Sequence, residues 1–520
     1  NTYGSITSPL DFGSGSVDSF GGGLIIINVT NIFNVSGAIS SSGVNTNRAG
    51  GAGGGILISA GSMLGNGTID TDGVNGISGR GDGGGGRIAI YLNQINNTGS
   101  VNISSRGGIT TSEGAAGTIY IKKSGQTYGE LHISNGAEAL QDAVTTNLDS
   151  NMTYNFDIIN ITRNASIELS TGAILNLTNT TLIGDSQPGS RIIINGTKNS
   201  GNLTIPNHFN ITGISIVQRG SQAIEITTNN LNLRNGAIIS HLDNSAGITH
   251  RVNLTIIGNL TIDSGATINV DGLGYDSGSG PGVAAGEDGA SHGGMGGEYD
   301  GTGPLKATYG SITNPTDFGS GAGGGNGGGA ILINVTKTLN VTGTISASDG
   351  GLVGLGRGQG SAGSVLIYSE NLIGNGTIDA NGRSDGTGRG SGGGGRIAIY
   401  ALVGTTTDNI KTQAYGGSAS STASPGTIYI KTANKNYGTI TINNNGFTPS
   451  TGSTTLINQT TNYNFDVINI TGAGYLEIGS NITSIIINEN LWLSAGTIAD
   501  SSSGNNIYLR GNMSTDSGSS

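Results

Sequence analysis

Short apolar runs alternate along this chain with stretches that hold almost no apolar residue. Runs beginning at Leu24, Ile56, Ile88 and Ile119 each follow a cluster of glycines, 31 or 32 residues apart. Each leads through a polar turn into a second short apolar stretch, as in residues 33–39 and 67–70, and then into the next glycine cluster. Residues 157–162, 174–178 and 259–263 alternate apolar and polar with period two, the pattern of a half-buried strand. No segment carries the period of an amphipathic helix. Short strands bounded by turn residues predict an all-β chain. Coils of near-constant length predict a solenoid, in which like strands stack in parallel and bring Ile and Val side chains above one another in a narrow core. The expected architecture is a right-handed parallel β-helix with Gly-rich loops. Its coils would hold about 20–35 residues and stack ~4.8 Å apart. Roughly 17–20 such coils would make a rod on the order of 80–100 Å long. An array of antiparallel β-sandwich domains on Gly linkers is the alternative.

A second, longer period overlies the first. Gly-Gly-Gly-Gly-Arg-Ile-Ala-Ile-Tyr fills residues 83–91 and returns unchanged at 392–400, a shift of 309. The same shift carries residues 65–70 onto 374–379, 117–122 onto 426–431 and 154–157 onto 463–466. Residues 3–37 match 309–343 at a shift of 306 instead. The three-residue difference falls in the Gly/Ser-rich stretch between, where a length change costs a packed frame least. The repeat divides the chain into residues 1–150, a Gly-rich solenoid repeat, and 151–270, a segment with shorter loops. Residues 271–308 are a Gly- and acid-rich loop segment opening the second copy, 309–459 are its Gly-rich repeat, and 460–520 start a second shorter-loop segment. Apolar residues nearly vanish between 271 and 329, while acids gather at Asp271, Asp276, Glu287, Asp288, Glu298 and Asp300. This segment reads as a flexible connector or as ordered surface loops, and its ties to the repeat that follows favour order. The chain opens on residues that match 307–313 inside the second copy and has no initiator Met, so the 520 residues are expected to be part of something longer.

Composition narrows the setting. Glycine supplies 97 of the 520 residues, while charged residues are only 11%. The density of β-branched residues in the apolar runs argues for order rather than the disorder such a glycine content otherwise suggests. A net charge of −11 argues against a nucleic-acid partner, which would call for a basic stripe. There is no cysteine, hence neither disulfides nor thiolate metal sites. No stretch reaches the ~18 apolar residues of a membrane helix.

Residues 289–297 (Gly-Ala-Ser-His-Gly-Gly-Met-Gly-Gly), then Tyr309-Gly-Ser with Pro315, residues 319–325 and residues 392–400 form a signature of glycine loops and short strands. In these residues the chain resembles the large glycine-rich repeat proteins of microbial cell surfaces. The resemblance implies a parallel β-helix with an adhesin-like or structural role, and it carries no catalytic residues with it.

Asn-X-Ser/Thr sequons occur at 22 of the 56 asparagines. The candidates for N-glycosylation are Asn28, Asn34, Asn66, Asn160, Asn164, Asn176, Asn195, Asn202, Asn210, Asn253, Asn259, Asn334, Asn340, Asn375, Asn469 and Asn481. Four recur between copies, pairing Asn28 with Asn334, Asn34 with Asn340, Asn66 with Asn375 and Asn160 with Asn469. In most of the sixteen the middle residue is apolar, so a strand would point Asn and Thr outward and the middle residue into the core. Outward positions in a Ser/Thr/Asn-rich solenoid also create sequons by composition. Their excess and geometry favour real glycans on several sites, and with them an extracellular or cell-surface protein. Asn66 and Asn375, with Gly in the middle at a turn, are the less certain pair.

The recurring charged residues admit two readings. Asp11, Asp70, Asp157 and Glu168 return as Asp317, Asp379, Asp466 and Glu477, and Arg80 and Arg87 as Arg389 and Arg396. Carboxylates beside arginines on a β-helix face could cleave a polysaccharide by acid–base chemistry. Asp also caps turns through its own backbone, and a catalytic site duplicated in each repeat would be unusual. Ca²⁺ has only weak support, from the acids of residues 271–300, because no calcium-loop pattern accompanies them. His292 has no second histidine at ligand spacing. Tyr91, Tyr120 and their copies are expected to pack at coil edges rather than bind sugars. The sequence-level expectation is therefore a non-catalytic extracellular structural or adhesive protein without cofactors. Its partners would be further copies or neighbouring repeats met end to end, and glycans or other surface polymers. A carbohydrate-active β-helix enzyme and a monomeric carbohydrate-binding adhesin are the alternatives.

Overall fold

The computed structural model describes residues 3–45, 48–77, 80–94, 100–110, 112–135, 144–195, 202–244, 249–284, 286–299, 305–351, 357–384, 389–405, 409–418, 420–501, 505–516 and 518–520. These contain no α-helix, and strands make up 47% of them. The chain divides into two compact units, one of Asn1–Val217 with Arg234–Ile238, the other of Gln218–Leu233 with Ile239–Ser520.

In the first unit a wide sheet runs in the order Thr181–Gly184, Ile158–Thr162, Glu130–Ser134, Thr118–Lys123, Arg87–Leu92, Gly55–Gly65 and Leu24–Val35. Ala38–Ser40, Thr68–Asp70 and Asn102–Ser104 form a narrower sheet. Parallel register places Ile25, Ile56, Ile88 and Ile119 in one column, and Ile27, Ile58, Ile90 and Ile121 in the next. Ile39, Ile69 and Ile103 stack likewise in the narrow sheet. All three columns meet in one hydrophobic core. The 31- and 32-residue spacing of the apolar runs is thus the step from one strand to its parallel neighbour.

The second unit repeats this plan. Val252–Ile262, Ala330–Val341, Ser364–Gly374, Arg396–Thr405 and Thr427–Thr432 pair in parallel. Thr439–Asn443, Asn462–Thr471 and Ser484–Ser494 follow, with Asn506–Leu509 and Asn512–Thr515 on the last edge. Thr267–Asn269, Thr344–Ser346, Thr377–Asp379 and Lys411–Gln413 pair in parallel in a second sheet. Its column Ile268–Ile345–Ile378 is wholly buried. Parallel pairing on this scale is not what an array of antiparallel sandwiches produces.

One hairpin, recurring in both copies, departs from the parallel expectation, as does the short pair Ser19–Phe20 with Val44–Asn45 in the first copy. Thr118–Lys123 pairs antiparallel with Glu130–Ser134, and Thr427–Thr432 with Thr439–Asn443. Only residues 124–129, or 433–438 in the second copy, link these strands, whereas a parallel crossover needs about a dozen residues or more. The hairpin is closed by tyrosine: Tyr120 Oη donates to the Tyr128 carbonyl at 2.8 Å, and Tyr429 Oη to that of Tyr437 at 2.8 Å. Gly129 and Gly438 sit at φ of 79° and 77° with the tyrosine rings where a Cβ would be.

The described glycine-rich stretches, residues 271–284, 286–299 and 305–329 among them, form ordered structure. Their extended backbones lie against one another and hydrogen-bond directly. Gly53 N–H donates to Gly84 O at 2.9 Å and Gly85 N–H to Ala115 O at 2.9 Å. In the second unit Gly393 donates to Ala290 O, Gly294 to Gly394 O and Gly394 to Ser424 O, at 2.9–3.0 Å. Where the backbones come closest no side chain fits: a Cβ on Gly426 would lie 1.7 Å from Gly395 O, and one on its first-copy counterpart Gly117 1.9 Å from Gly86 O. Glycine is required there by contact distance.

Candidate functional surface

The motif repeated at residues 83–91 and 392–400 ends its glycine run where a strand begins, on an arginine. Arg396 is fully buried. Its Nε donates to Tyr309 O at 2.7 Å and its Nη1 to Thr427 Oγ1 at 3.0 Å. Four residues on, Tyr400 Oη donates to Thr313 O at 2.7 Å. Arginine and tyrosine together hold residues 309–318 as a strap against the sheet, and Ser364 Oγ adds a bond to Asp317 O at 2.6 Å. Ile312 of the strap joins Leu366, Ala398 and Tyr429 in a hydrophobic cluster. In the first copy Arg87 Nε donates to Tyr3 O at 2.9 Å, Arg87 Nη1 to Thr118 Oγ1 at 3.3 Å and Tyr91 Oη to Thr7 O at 2.6 Å. Burial lowers the Arg396 pKa to about 10, against the opposing pull of Tyr463, Asp317 and Tyr309.

Beside each strap runs a row of aromatic rings. In the second copy Tyr368 stacks on Tyr400 at 4.6 Å, Tyr400 lies 5.7 Å from Tyr429, and Tyr429 lies 6.4 Å from Phe465. The first copy has Tyr91, Tyr120 and Phe156 at 5.7 and 6.3 Å, and Ser59 where the second has Tyr368. Burial raises the Tyr120 phenol to about 12 and also raises Tyr429. A groove of about 620 Å³ lies here in the first unit, lined by Arg87, Tyr91, Tyr120, Lys122, Asp149 and Tyr154 among others. The phenols of three of these tyrosines are held by the chain itself: Tyr91 and Tyr120 as above, and Tyr154 Oη by the Asp149 amide at 2.8 Å.

Most of the recurring acids brace backbone and hydroxyl groups. Asp157 Oδ2 accepts the amides of Tyr128 and Gly129 at 3.0 and 2.9 Å, and Asp466 Oδ2 those of Tyr437 and Gly438 at 2.8 and 3.0 Å. Asp70 Oδ1 accepts Ser40 Oγ at 2.7 Å and also Ser42 Oγ. Asp379 Oδ1 accepts Ser346 and Ser348 Oγ at 2.6 and 2.7 Å. Glu168 and Glu477 accept the hydroxyls of Thr145 and Thr454 at 3.1 and 2.6 Å. Asp11 and Asp317 lie in the two straps, each beside a positive-φ glycine, Gly4 and Gly310. Arg389 pairs with Glu287 and lies 4.8 Å over the Tyr299 ring, while Arg80 is exposed.

Of the 271–300 acids, Asp271 Oδ1 accepts the Ser348 amide at 2.7 Å and Asp288 Oδ1 that of Tyr299 at 2.6 Å; Asp300 lies outside the described residues. No group of three or more His, Asp or Glu that could hold a metal ion occurs among the described residues. His292 is fully buried, donates through Nδ1 to Ala362 O at 2.7 Å and lies 4.6 Å from the Tyr309 ring. Burial lowers its pKa to about 3, so it is neutral. Asp349, not singled out by sequence, is also buried, 3.4 Å from Arg383 Nε. Nothing in its local sequence marks it as a core acid.

The sequon asparagines fall into three groups. Asn28, Asn34, Asn66, Asn210, Asn334, Asn375 and Asn481 are exposed. Asn160, Asn176, Asn195, Asn253, Asn259, Asn340 and Asn469 are half-buried. Some of these have the reactive amide nitrogen engaged: Asn176 Nδ2 donates to Asn155 Oδ1 at 2.9 Å, Asn253 Nδ2 to Ser221 O at 3.0 Å, and Asn259 Nδ2 to Asn230 Oδ1 at 3.0 Å. Asn164 is buried at a φ of 58°, the least accessible of the set. Asn202 lies on a strand, with its side chain outside the described set. Comparison with known proteins gives no match at the level of family models, curated proteins or solved structures.

Proposed function

We propose that this chain is a non-catalytic structural or adhesive repeat protein of an extracellular surface. In this reading each unit is a right-handed parallel β-solenoid, N-glycans coat the outward strand faces, and copies associate end to end or along neighbouring repeats and with surface glycans. One observation carries the reading: the polar residues repeated letter for letter between copies are scaffold ties. Arg87 and Arg396 clamp the straps, Tyr91 and Tyr400 fasten them, and Asp157 and Asp466 brace the hairpins. Repetition of such ties lengthens a scaffold without multiplying a site of chemistry. An outward surface this poor in charge also needs another source of solubility, which a glycan coat supplies.

The tyrosine-lined groove of the first unit favours a second reading, a monomeric carbohydrate-binding adhesin. Incubating the purified chain with a polysaccharide panel tests the first reading against an enzyme. No product is expected, and turnover abolished by Asp70→Asn or Asp379→Asn would overturn it. Glycan-array binding by a monodisperse monomer would favour the adhesin.

A further inference from the structure

Four sequons that recur between the copies share a neighbour of one kind. In a parallel sheet the residue registered with an outward asparagine on the next strand points to the same face, ~4.8 Å away. Asn34 is registered with Leu64 and its copy Asn340 with Ile373. Asn160 is registered with Ile183 and its copy Asn469 with Trp492. These four side chains are 39%, 40%, 41% and 46% exposed, large apolar groups on an outward face. Uncovered, each leaves apolar area in water and marks a β surface for aggregation. The residue type changes between copies, Leu to Ile and Ile to Trp, while apolar bulk beside the sequon stays. On the preceding strand the same columns hold polar residues: Thr261 before Asn340, His132 before Asn160 and Thr441 before Asn469. Each of these three asparagines therefore has a polar neighbour on one side and an apolar platform on the other.

We propose that Leu64, Ile183, Ile373 and Trp492 are platforms for the first sugar of the glycan on the neighbouring asparagine. The pyranose leans along the sheet and sets its C–H face on the apolar side chain, or on the indole face of Trp492. The inference rests on the glycosylation proposed above. Attachment joins Nδ2 to C1 of the sugar as the C1–oxygen bond of a glycosyl phosphate donor breaks. The phosphate leaves with the bonding electron pair, and Nδ2 gives up one of its two protons. The sugar completes the face: it covers the apolar group that the next coil presents and is ordered by it. The recurring pair Asn28 and Asn334 is different, registered with Ser59 and Tyr368.

Trp492 is the only tryptophan of the chain, so its emission reports on one platform. The full chain is taken from a host that glycosylates it, glycopeptide mass spectrometry establishes whether Asn469 is occupied, and quenching of tryptophan emission by acrylamide is measured before and after enzymatic removal of the glycans. The expected result is an occupied Asn469 and a quenching constant that rises by about twofold or more on removal, as a stacked ring is uncovered. Asn469→Gln should give the same rise, and Asn481→Gln, a sequon at an exposed turn, none. A bare Asn469 would overturn the inference together with the glycosylation reading. An occupied Asn469 with unchanged quenching would overturn the inference alone. Protection of Trp492 in Asn469→Gln by free monosaccharide would reassign the platform to soluble carbohydrate and overturn it as well.

Discussion

The two copies of the long repeat place nearly the same strand in two surroundings. Leu24–Val35 and Ala330–Val341 carry the same alternation at a shift of 306. In the second copy Val252–Ile262 pairs along the strand, with Val252 on Ile331, Leu254 on Ile333 and Ile256 on Val335. Ile331, Ile333 and Val335 are there 0–1% exposed. In the first copy no preceding strand lies on it among the described residues, and Ile25, Ile27 and Val29 are half-buried. Burial at these positions is a property of the neighbouring strand, since the local pattern is the same. The clamping arginines are buried in both copies, Arg396 at 0% exposure and Arg87 at 9%.

Breaking the glycine layer should have the largest effect. Gly426→Ala puts a Cβ 1.7 Å from Gly395 O, and Gly117→Ala puts one 1.9 Å from Gly86 O. Because the colliding atoms are backbone, each change should cost about 3 kcal/mol or more in its own unit. Gly37→Ala, with nothing within 4 Å of the added carbon, should stay within about 0.5 kcal/mol of the parent. Thermal unfolding of the three variants checks this, and equal effects would remove the close-packed layer from the account.

Removing the clamp should separate the copies. Arg396→Ala loses charged hydrogen bonds in a fully buried setting and should cost about 2–3 kcal/mol. Arg87→Ala, also buried but with a longer bond of 3.3 Å to Thr118 Oγ1, should cost about half of that. Proteolysis between residues 305 and 318, or 3 and 12, reads strap release in each variant. The reverse ranking would contradict the difference in burial between the two arginines.

A smaller effect distinguishes the copies by pH. Burial pushes the Asp349 carboxyl up to about 8, although Arg383 opposes the shift. Residues 38–55 of the first copy hold no acid. Between about pH 4 and 8 the folded second unit keeps a proton on Asp349 that the unfolded chain has released, so its stability falls as pH rises through that window. Asp349→Asn abolishes this contribution. Melting temperatures of the two proteins should therefore diverge with rising pH, the variant becoming relatively more stable; a constant difference would contradict the buried acid.

Much of the strand frame was legible in the sequence, because the apolar period is the register step itself: Ile56, Ile88 and Ile119 stand in one column. The antiparallel hairpins were not, since Thr118–Lys123 carries the same apolar pattern whichever way its partner runs. Only the short link at residues 124–129 gives the turn away. Composition could not separate loose glycine loops from an ordered layer, because the order lies in bonds to distant backbone, such as Gly393 to Ala290. The strap was visible as an exact repeat, but its purpose was hidden: Arg396 and Tyr309 lie 87 residues apart. At the sequons, alternation gave the outward direction, while the apolar platforms needed the register between strands.

The central claim is that the glycine-rich segments are ordered scaffold. Amide hydrogen exchange of the intact chain, followed in peptides covering residues 289–297 and 392–395, tests it most directly. The account predicts protection close to that of the adjoining strand Arg396–Thr405, because the amides of Gly294, Gly393 and Gly394 are bonded to neighbouring backbone. Exchange of those peptides at the rate of an unstructured chain, with the strand protected, would contradict it.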